Sequence, residues 1–150
     1  MTTWQDRIER TFHSPRDYLD AARDSTADAD LLDGLAGMPY GFVQEAVAEH
    51  QNTRTETLLR MVPASLKNWG DHSLLRKIVV HPSADSRVYA RARETVAAAL
   101  AEGRRPYSVA IALAERGGLS EADVESLGHL AGASARLRHG LRRAVGPRDR

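Results

Sequence analysis

The chain contains no cysteine. Without thiols it cannot form a disulfide, a thiolate zinc site, a thiolate-ligated iron–sulfur cluster or a cysteine nucleophile. Long apolar runs are also missing, since no stretch approaches the roughly 18 apolar residues of a transmembrane helix. The amino terminus lacks the apolar segment of a signal peptide. We therefore expect a cytoplasmic protein that makes no contact with a membrane.

Aromatic residues are scarce, with two Phe, two Trp and four Tyr among 150 residues. A core that depends on Leu, Val and Ala favours closely packed helices over a β-sandwich. A chain of this length fits one domain. The only β-branched cluster lies at residues 77–81, and its position in the repeats described next assigns it to a short helix.

Three successive segments of the chain share one pattern. In each, a short apolar helix ends at a polar break, at residues 23–25, 50–52 and 81–83. A Ser or Thr near the break is the expected N-cap of the next helix, with acidic residues in its first turn. In this alignment, Thr26 of the first segment is equivalent to Thr53 of the second. No single unit can bury its apolar stripe, so neighbouring units must stack on each other.

The best-preserved unit, residues 31–53, reads Leu-Leu-Asp-Gly-Leu-Ala-Gly-Met-Pro-Tyr-Gly-Phe-Val-Gln-Glu-Ala-Val-Ala-Glu-His-Gln-Asn-Thr. It resembles the leucine-rich repeat variant family, a HEAT/armadillo-like α-solenoid, and the likeness extends over roughly residues 14–100. Two departures are the replacement of the family's Asn-Pro by His50-Gln51 and an insertion at residues 65–70. The resemblance implies short stacked helices, some of them 3₁₀, in a right-handed superhelix. It implies no defined chemistry.

We predict an all-α fold, a short right-handed α-solenoid of about three degenerate repeats capped by a C-terminal helical hairpin. Pro106, the Gly117-Gly118 break and Ser120 at an N-cap position delimit the hairpin. The predicted organisation is a single helical-repeat domain over 1–145, with repeats at about 14–38, 39–65 and 66–100, C-terminal helices at 107–116 and 120–140, and a disordered tail at 146–150.

Motifs that would indicate an enzyme or a cofactor are missing from the sequence. The chain has no nucleophile elbow, Walker loop or dinucleotide-binding fingerprint. No two of its six histidines are spaced as metal ligands on one helical turn. We therefore predict no catalytic residues, no cofactor and no metal site.

Five residues are candidates for contact with a protein partner. Trp69, which we place on the loop of residues 65–70, is either an interaction anchor or a plug over the ends of two helices. Tyr40 and Phe42, on a second loop, leave the same choice open. His50 and His81 occupy equivalent positions after successive helices. They form either a ladder of polar residues along one edge of the stack or ordinary helix C-termini.

Charge is distributed unevenly along the chain, although the net charge is only +1. Residues 1–75 carry seven basic and twelve acidic side chains, whereas residues 76–150 carry fourteen and eight. The candidate anion or nucleic-acid contacts are Arg104, Arg105, Arg136, Arg138, Arg142 and Arg143. The alternative interpretation is a solvated basic tail, since no aromatic residues alternate with these arginines to stack on bases.

These observations favour a non-catalytic protein–protein interaction module, an adaptor or accessory subunit that uses the surface of a helical stack. The alternative is a nucleic-acid-binding or regulatory protein that acts through the basic C-terminal helices.

Overall fold

The computed structural model describes residues 14–146, and the regular secondary structure in this range is α-helical throughout. The prediction of an all-α fold is thereby confirmed. The helices that the resemblance implied to be partly 3₁₀ are α-helices. They are α1 (Pro15–Arg23), α2 (Ala29–Ala36), α3 (Gly41–Glu49), α4 (Thr55–Met61), α5 (Trp69–Val80), α6 (Ser86–Ala101), α7 (Tyr107–Glu115), α8 (Glu121–Gly128) and α9 (Ala135–Val145).

Side-chain caps define where most of these helices begin. Capping boxes at Ser14, Asn68 and Ser120 start α1, α5 and α8, and each of these side chains accepts a hydrogen bond from the third amide of its helix. α2 and α6 start at Asp28 and Asp85. The expectation of Ser or Thr caps is wrong at these two helices, because the aspartate itself occupies the cap position and its carboxylate reaches the first-turn amides.

The helices form two layers. In one layer α1, α3, α5, α7 and α9 pack on each other in that order, and in the other α2, α4 and α6 do the same. Further contacts join α2 to α3, α5 to α6, α6 to α7 and α8 to α9. Every helix except α8 therefore packs on a counterpart one helix pair away along the chain, and α8 packs on α9.

The apolar core lies between the layers. α2 buries Leu31, Leu32 and Leu35, which belong to a cluster at the amino-terminal end of the stack. A central cluster includes Leu58 and Ile78, and a third extends through α5–α9. Each fully buried Leu or Ile contributes about 1.5–3 kcal/mol relative to its exposed state. The stripes that no single helix could hide are thus buried between layers.

Ion pairs and hydrogen bonds join the helices of the second layer. Arg54 of α4's cap pairs with Asp30 of α2 at 2.8 Å, and Thr57 donates a hydrogen bond to Asp33 at 2.6 Å. Further along, the Arg87 guanidinium of α6 lies 3.2 Å from the Glu56 carboxylate of α4. The two ion pairs are exposed and contribute little individually.

The chain turns sharply where we predicted one helix over 120–140. α8 ends at Gly128 and α9 begins at Ala135, so the prediction of a continuous helix is wrong. Between them Gly132 donates its amide hydrogen to the Leu100 carbonyl at 2.7 Å, which docks the turn on the end of α6. α9 continues to Val145 instead, and Gly146 is its C-cap. The remainder of the predicted tail, residues 147–150, lies outside the described residues.

Candidate functional site

One side of α5 does not pack into the core and carries both polar and apolar side chains. The buried positions of the helix are Leu74, Leu75, Ile78 and Val79. The residues at positions i, i+3, i+4, i+7, i+8 and i+11, counted from the first residue of α5, lie together on the other side of the helix. That face carries Trp69, His72, Ser73, Arg76, Lys77 and Val80.

Trp69 is the first residue of α5 and 82% of it is exposed. The prediction that it lies on a loop is wrong, because Asn68 caps the helix one residue earlier and Asp71 completes the capping box. The exposure also decides between the two interpretations of this residue. A plug over helix ends would be buried, so the structure excludes that role.

A cleft of about 350 Å³ lies beside this face. Five α5 residues line it, from Trp69 to Lys77, together with Ser108 of α7. The sequence analysis did not identify His72, Ser73, Arg76 and Lys77 as residues of one surface, because it placed the start of this segment in a loop. The Asn68-x-x-Asp71 spacing of a capping box would have indicated that a helix begins here.

A polar cluster joins this face of α5 to α3. Ser73 donates a hydrogen bond to the Glu45 carboxylate at 2.5 Å, and the Lys77 ammonium lies 3.1 Å from Glu45 and 2.5 Å from Glu49. Burial opposes ionisation of Glu45, but hydrogen bonds from Ser73 and Lys77 outweigh it and lower its pKa below the ordinary 4.5. The hydrogen bond to Glu49 raises the pKa of Lys77, against the effect of burial and with help from Glu45.

We expect Glu45→Gln to lower the free energy of unfolding by about 1 kcal/mol at neutral pH. Because folding depresses the pKa of Glu45, its contribution is present above pH 4.5 and is lost as the pH falls through the folded-state value. Lys77 does not affect this window, since the raised pKa of its ammonium matters only in strongly alkaline solution. Urea titrations at neutral pH and near pH 3 should therefore show a gap between wild type and variant that closes in acid. A gap independent of pH would contradict this assignment.

Three aromatic rings form a row at the start of α3. Tyr40, the N-cap of α3, stacks on Tyr18 of α1 with ring centroids 5.8 Å apart and on Phe42 at 5.7 Å. Tyr40 is half-buried by these contacts, whereas Phe42 is 45% exposed. The prediction of a loop here is wrong, because Tyr40 caps α3 and Phe42 lies in its first turn. Of the two candidates, Phe42 is the more exposed.

His50 and His81 make equivalent hydrogen bonds inside the protein. The Nδ1 atom of each ring accepts the amide hydrogen of the residue two positions later, at 3.0 Å for His50 and 2.9 Å for His81. Because Nδ1 accepts, Nε2 carries the proton. His81 donates from Nε2 to the His50 carbonyl, and His50 donates to the Asp24 carbonyl, both at 2.7 Å.

These contacts form a ladder of C-cap residues, which Arg116 of α7's C-cap extends by donating to the His81 carbonyl at 3.4 Å. Both histidines are buried, at 8% and 3% exposed. Both ring nitrogens of each are already used within the protein, which favours a structural role for them over contact with a partner. The ladder is structural.

The six candidate arginines are divided between structural contacts and exposed positions. Arg138 donates to the Gly128 carbonyl, Arg142 lies 3.9 Å from Glu125, and Arg104 binds Glu102 and the Lys67 carbonyl. Arg105, Arg136 and Arg143 are exposed, and we find no ion pair for them within residues 14–146. The structure also brings the loop that carries Arg104 and Arg105 against the turn before α9, through Gly132.

Within the described range, no three His, Asp or Glu side chains are grouped so that they could hold a metal ion. None of the helices between residues 14 and 146 combines the length and the apolar composition that crossing a bilayer requires. Comparison with protein-family models, with curated proteins and with solved structures finds no match for this chain.

Proposed function

We propose that this protein is a non-catalytic protein–protein interaction module, an adaptor or accessory subunit that binds its partner on the exposed face of α5. The observation that carries the proposal is Trp69, an aromatic side chain held 82% exposed at the start of a capped helix. Trp is among the residues that most often dominate interface energies. A partner that covers this side chain would gain the free energy of its burial.

The architecture belongs to the same proposal. We interpret the helix pairs α1–α2, α3–α4 and α5–α6 as three degenerate repeats of a short right-handed α-solenoid resembling the leucine-rich repeat variant family. Support comes from the serial packing within each layer and from the repeated C-cap contacts of Asp24, His50 and His81. α7–α9 would then cap the stack. Stacked repeats of this kind create an extended surface, which suits binding rather than catalysis.

We expect Trp69→Ala to leave folding intact and to abolish capture of the partner. Because the side chain is exposed, the free energy of unfolding should change by less than about 0.5 kcal/mol. Loss of a central aromatic anchor costs about 2 kcal/mol or more of binding free energy, roughly thirtyfold in affinity. The measurement is quantitative mass spectrometry of proteins captured by wild-type and variant baits, with thermal melting of both.

Trp69→Phe serves as the matched control, since it keeps an apolar ring at the same helix position and should retain part of the capture. Identical sets and amounts of captured proteins for wild type and Trp69→Ala would contradict the proposal. A large fall in melting temperature for Trp69→Ala would instead show that the side chain is not exposed.

A second candidate function is nucleic-acid binding or regulation through the basic C-terminal helices. It is favoured by the exposure of Arg105, Arg136 and Arg143. The two functions differ in their response to salt, so the capture experiment is repeated at 50 and 200 mM salt. About six arginine–phosphate contacts would weaken on the order of 10³-fold over this range, whereas a mainly apolar contact at Trp69 would persist.

A further inference from the structure

We propose that the cleft between α5 and α7 binds an extended acidic segment of a partner protein, with an apolar side chain on Trp69 and a carboxylate on Arg76. This inference rests on the proposed function and specifies the chemistry of its partner.

The charges that line the cleft are of one sign. Its charged lining residues are Arg76 and Lys77, and no acidic side chain lines it. Lys77 is paired with both Glu45 and Glu49 of α3, and this group of three side chains carries a net charge of −1. Arg76 is exposed, and no ion pair holds it among the residues that the structure describes. Arg76 is therefore the cation of the cleft that a ligand carboxylate would meet.

The polar groups beside the start of α5 are paired with each other. Arg104 donates from its guanidinium to the Lys67 carbonyl at 3.3 Å, which places it two residues from the exposed ring. The nearby acids are already engaged. Asp71 accepts the amide hydrogens of Lys67 and Asn68, and Glu102 pairs with Arg104 at 3.1 Å. The Arg104–Glu102 pair is therefore neutral, and Arg76 is the cation that a carboxylate beside Trp69 would meet.

The spacing on the helix limits the ligand further. Trp69 and Arg76 are seven residues apart, which corresponds to about 10 Å along a helix that rises 1.5 Å per residue. An extended peptide covers about 3.3–3.6 Å per residue. An apolar residue on Trp69 and a carboxylate on Arg76 would consequently be about three positions apart in the bound segment.

Panning of a random-peptide display library against the full chain tests this inference. We expect the bound clones to be enriched in Asp or Glu about three positions from a large apolar residue. Arg76→Glu should reduce their recovery by about tenfold or more, and Arg76→Gln should reduce it less, because it removes the attraction without adding repulsion. Arg16→Glu is the matched control, since it makes the same charge reversal on α1, which α3 separates from α5.

The outcomes separate this inference from the proposed function. Clones that require Trp69 but are neutral or basic would overturn the acidic ligand and leave the interaction module standing. Equal loss with Arg76→Glu and Arg16→Glu would overturn it as well, since a non-specific charge effect would then explain the binding. Displacement of the clones by a random single-stranded oligonucleotide would assign the cleft to nucleic acid. Failure of the protein-capture experiment, by contrast, would contradict the interaction module itself.

Discussion

Gly132→Ala should lower the free energy of unfolding by about 3 kcal/mol, because the methyl group has no space. A Cβ atom at this position would lie 2.1 Å from the Arg104 carbonyl oxygen and 3.0 Å from that of Leu100. Both are backbone atoms, so no side-chain rotation can relieve the overlap. The turn would have to move away from the end of α6.

Movement of this turn would also break the two hydrogen bonds that dock it. The Gly132 amide donates to the Leu100 carbonyl at 2.7 Å, and the Tyr107 hydroxyl donates to the Gly132 carbonyl at 2.8 Å. Since α9 follows directly and packs on α7 and α8, its placement depends on the same turn. We therefore expect the loss of stability to be accompanied by increased hydrogen exchange in α9.

Gly41→Ala provides the matched control for this substitution. A Cβ atom on Gly41 would meet nothing within 4 Å, and the residue is the first of α3. Alanine has the higher helix propensity, so the variant should be as stable as wild type or more stable, by up to about 1 kcal/mol. Urea denaturation of Gly132→Ala, Gly41→Ala and wild type measures the three free energies of unfolding. Equal stabilities would show that the turn does not approach α6 as closely as described.

His81→Ala should lower the free energy of unfolding by roughly 3–5 kcal/mol, the other large effect expected for this chain. The ring is 3% exposed, so its removal leaves a cavity next to the core. It also leaves the Ser83 amide hydrogen without its acceptor and the His50 carbonyl with the Thr53 amide as its remaining donor. Buried polar groups that lose their partners account for much of the cost.

His129→Ala is the comparison for this variant. The His129 side chain is 75% exposed, and its ring contacts only Glu125 one helical turn earlier. Its loss should change the free energy of unfolding by less than about 0.5 kcal/mol. If the two histidine variants proved equally stable, the ladder would have no structural role, and the assignment of His81 as a buried link between α3 and α5 would fail.

The ladder and the proposed binding face of α5 differ in how their polar groups are satisfied. Polar groups that lie between helices are satisfied internally, and we find no buried side-chain nitrogen or oxygen atom without a partner in residues 14–146. On α5, the residues that remain exposed are consequently those with no structural partner, Trp69 and Arg76 above all. We infer that the stack provides rigidity and that this one helix face provides specificity.

Much of the secondary structure was predictable from short-range signals. The polar breaks at residues 23–25, 50–52 and 81–83 lie at the ends of α1, α3 and α5. The repeat alignment, however, was one residue out in its first unit. The Thr26 amide bonds the Asp24 side chain as the Asn52 amide bonds His50, so Thr26 corresponds to Asn52 and not to Thr53. Alignment by the shared Thr was therefore less accurate than alignment by the hydrogen bonds made at each break.

The break between α8 and α9 was missed, although Gly132 and Ser134, the N-cap of α9, are local signals for it. Residues 129–134 contain no proline, and the periodicity on either side is compatible with one helix. The turn forms because Gly132 approaches the end of α6, a contact between residues about 30 positions apart in the chain. Such long-range contacts override local propensity.

By itself, the sequence determined that this chain is helical and that thiolate chemistry is excluded, because helix periodicity, breaks and composition are local properties. It also identified Trp69 as a residue of interest. Only the tertiary structure decided that Trp69 is exposed on a helix, that His50 and His81 are buried links, and that Arg76 and Trp69 share a cleft. Those properties depend on which helix faces its neighbours cover, and that is settled by packing between segments far apart in the chain.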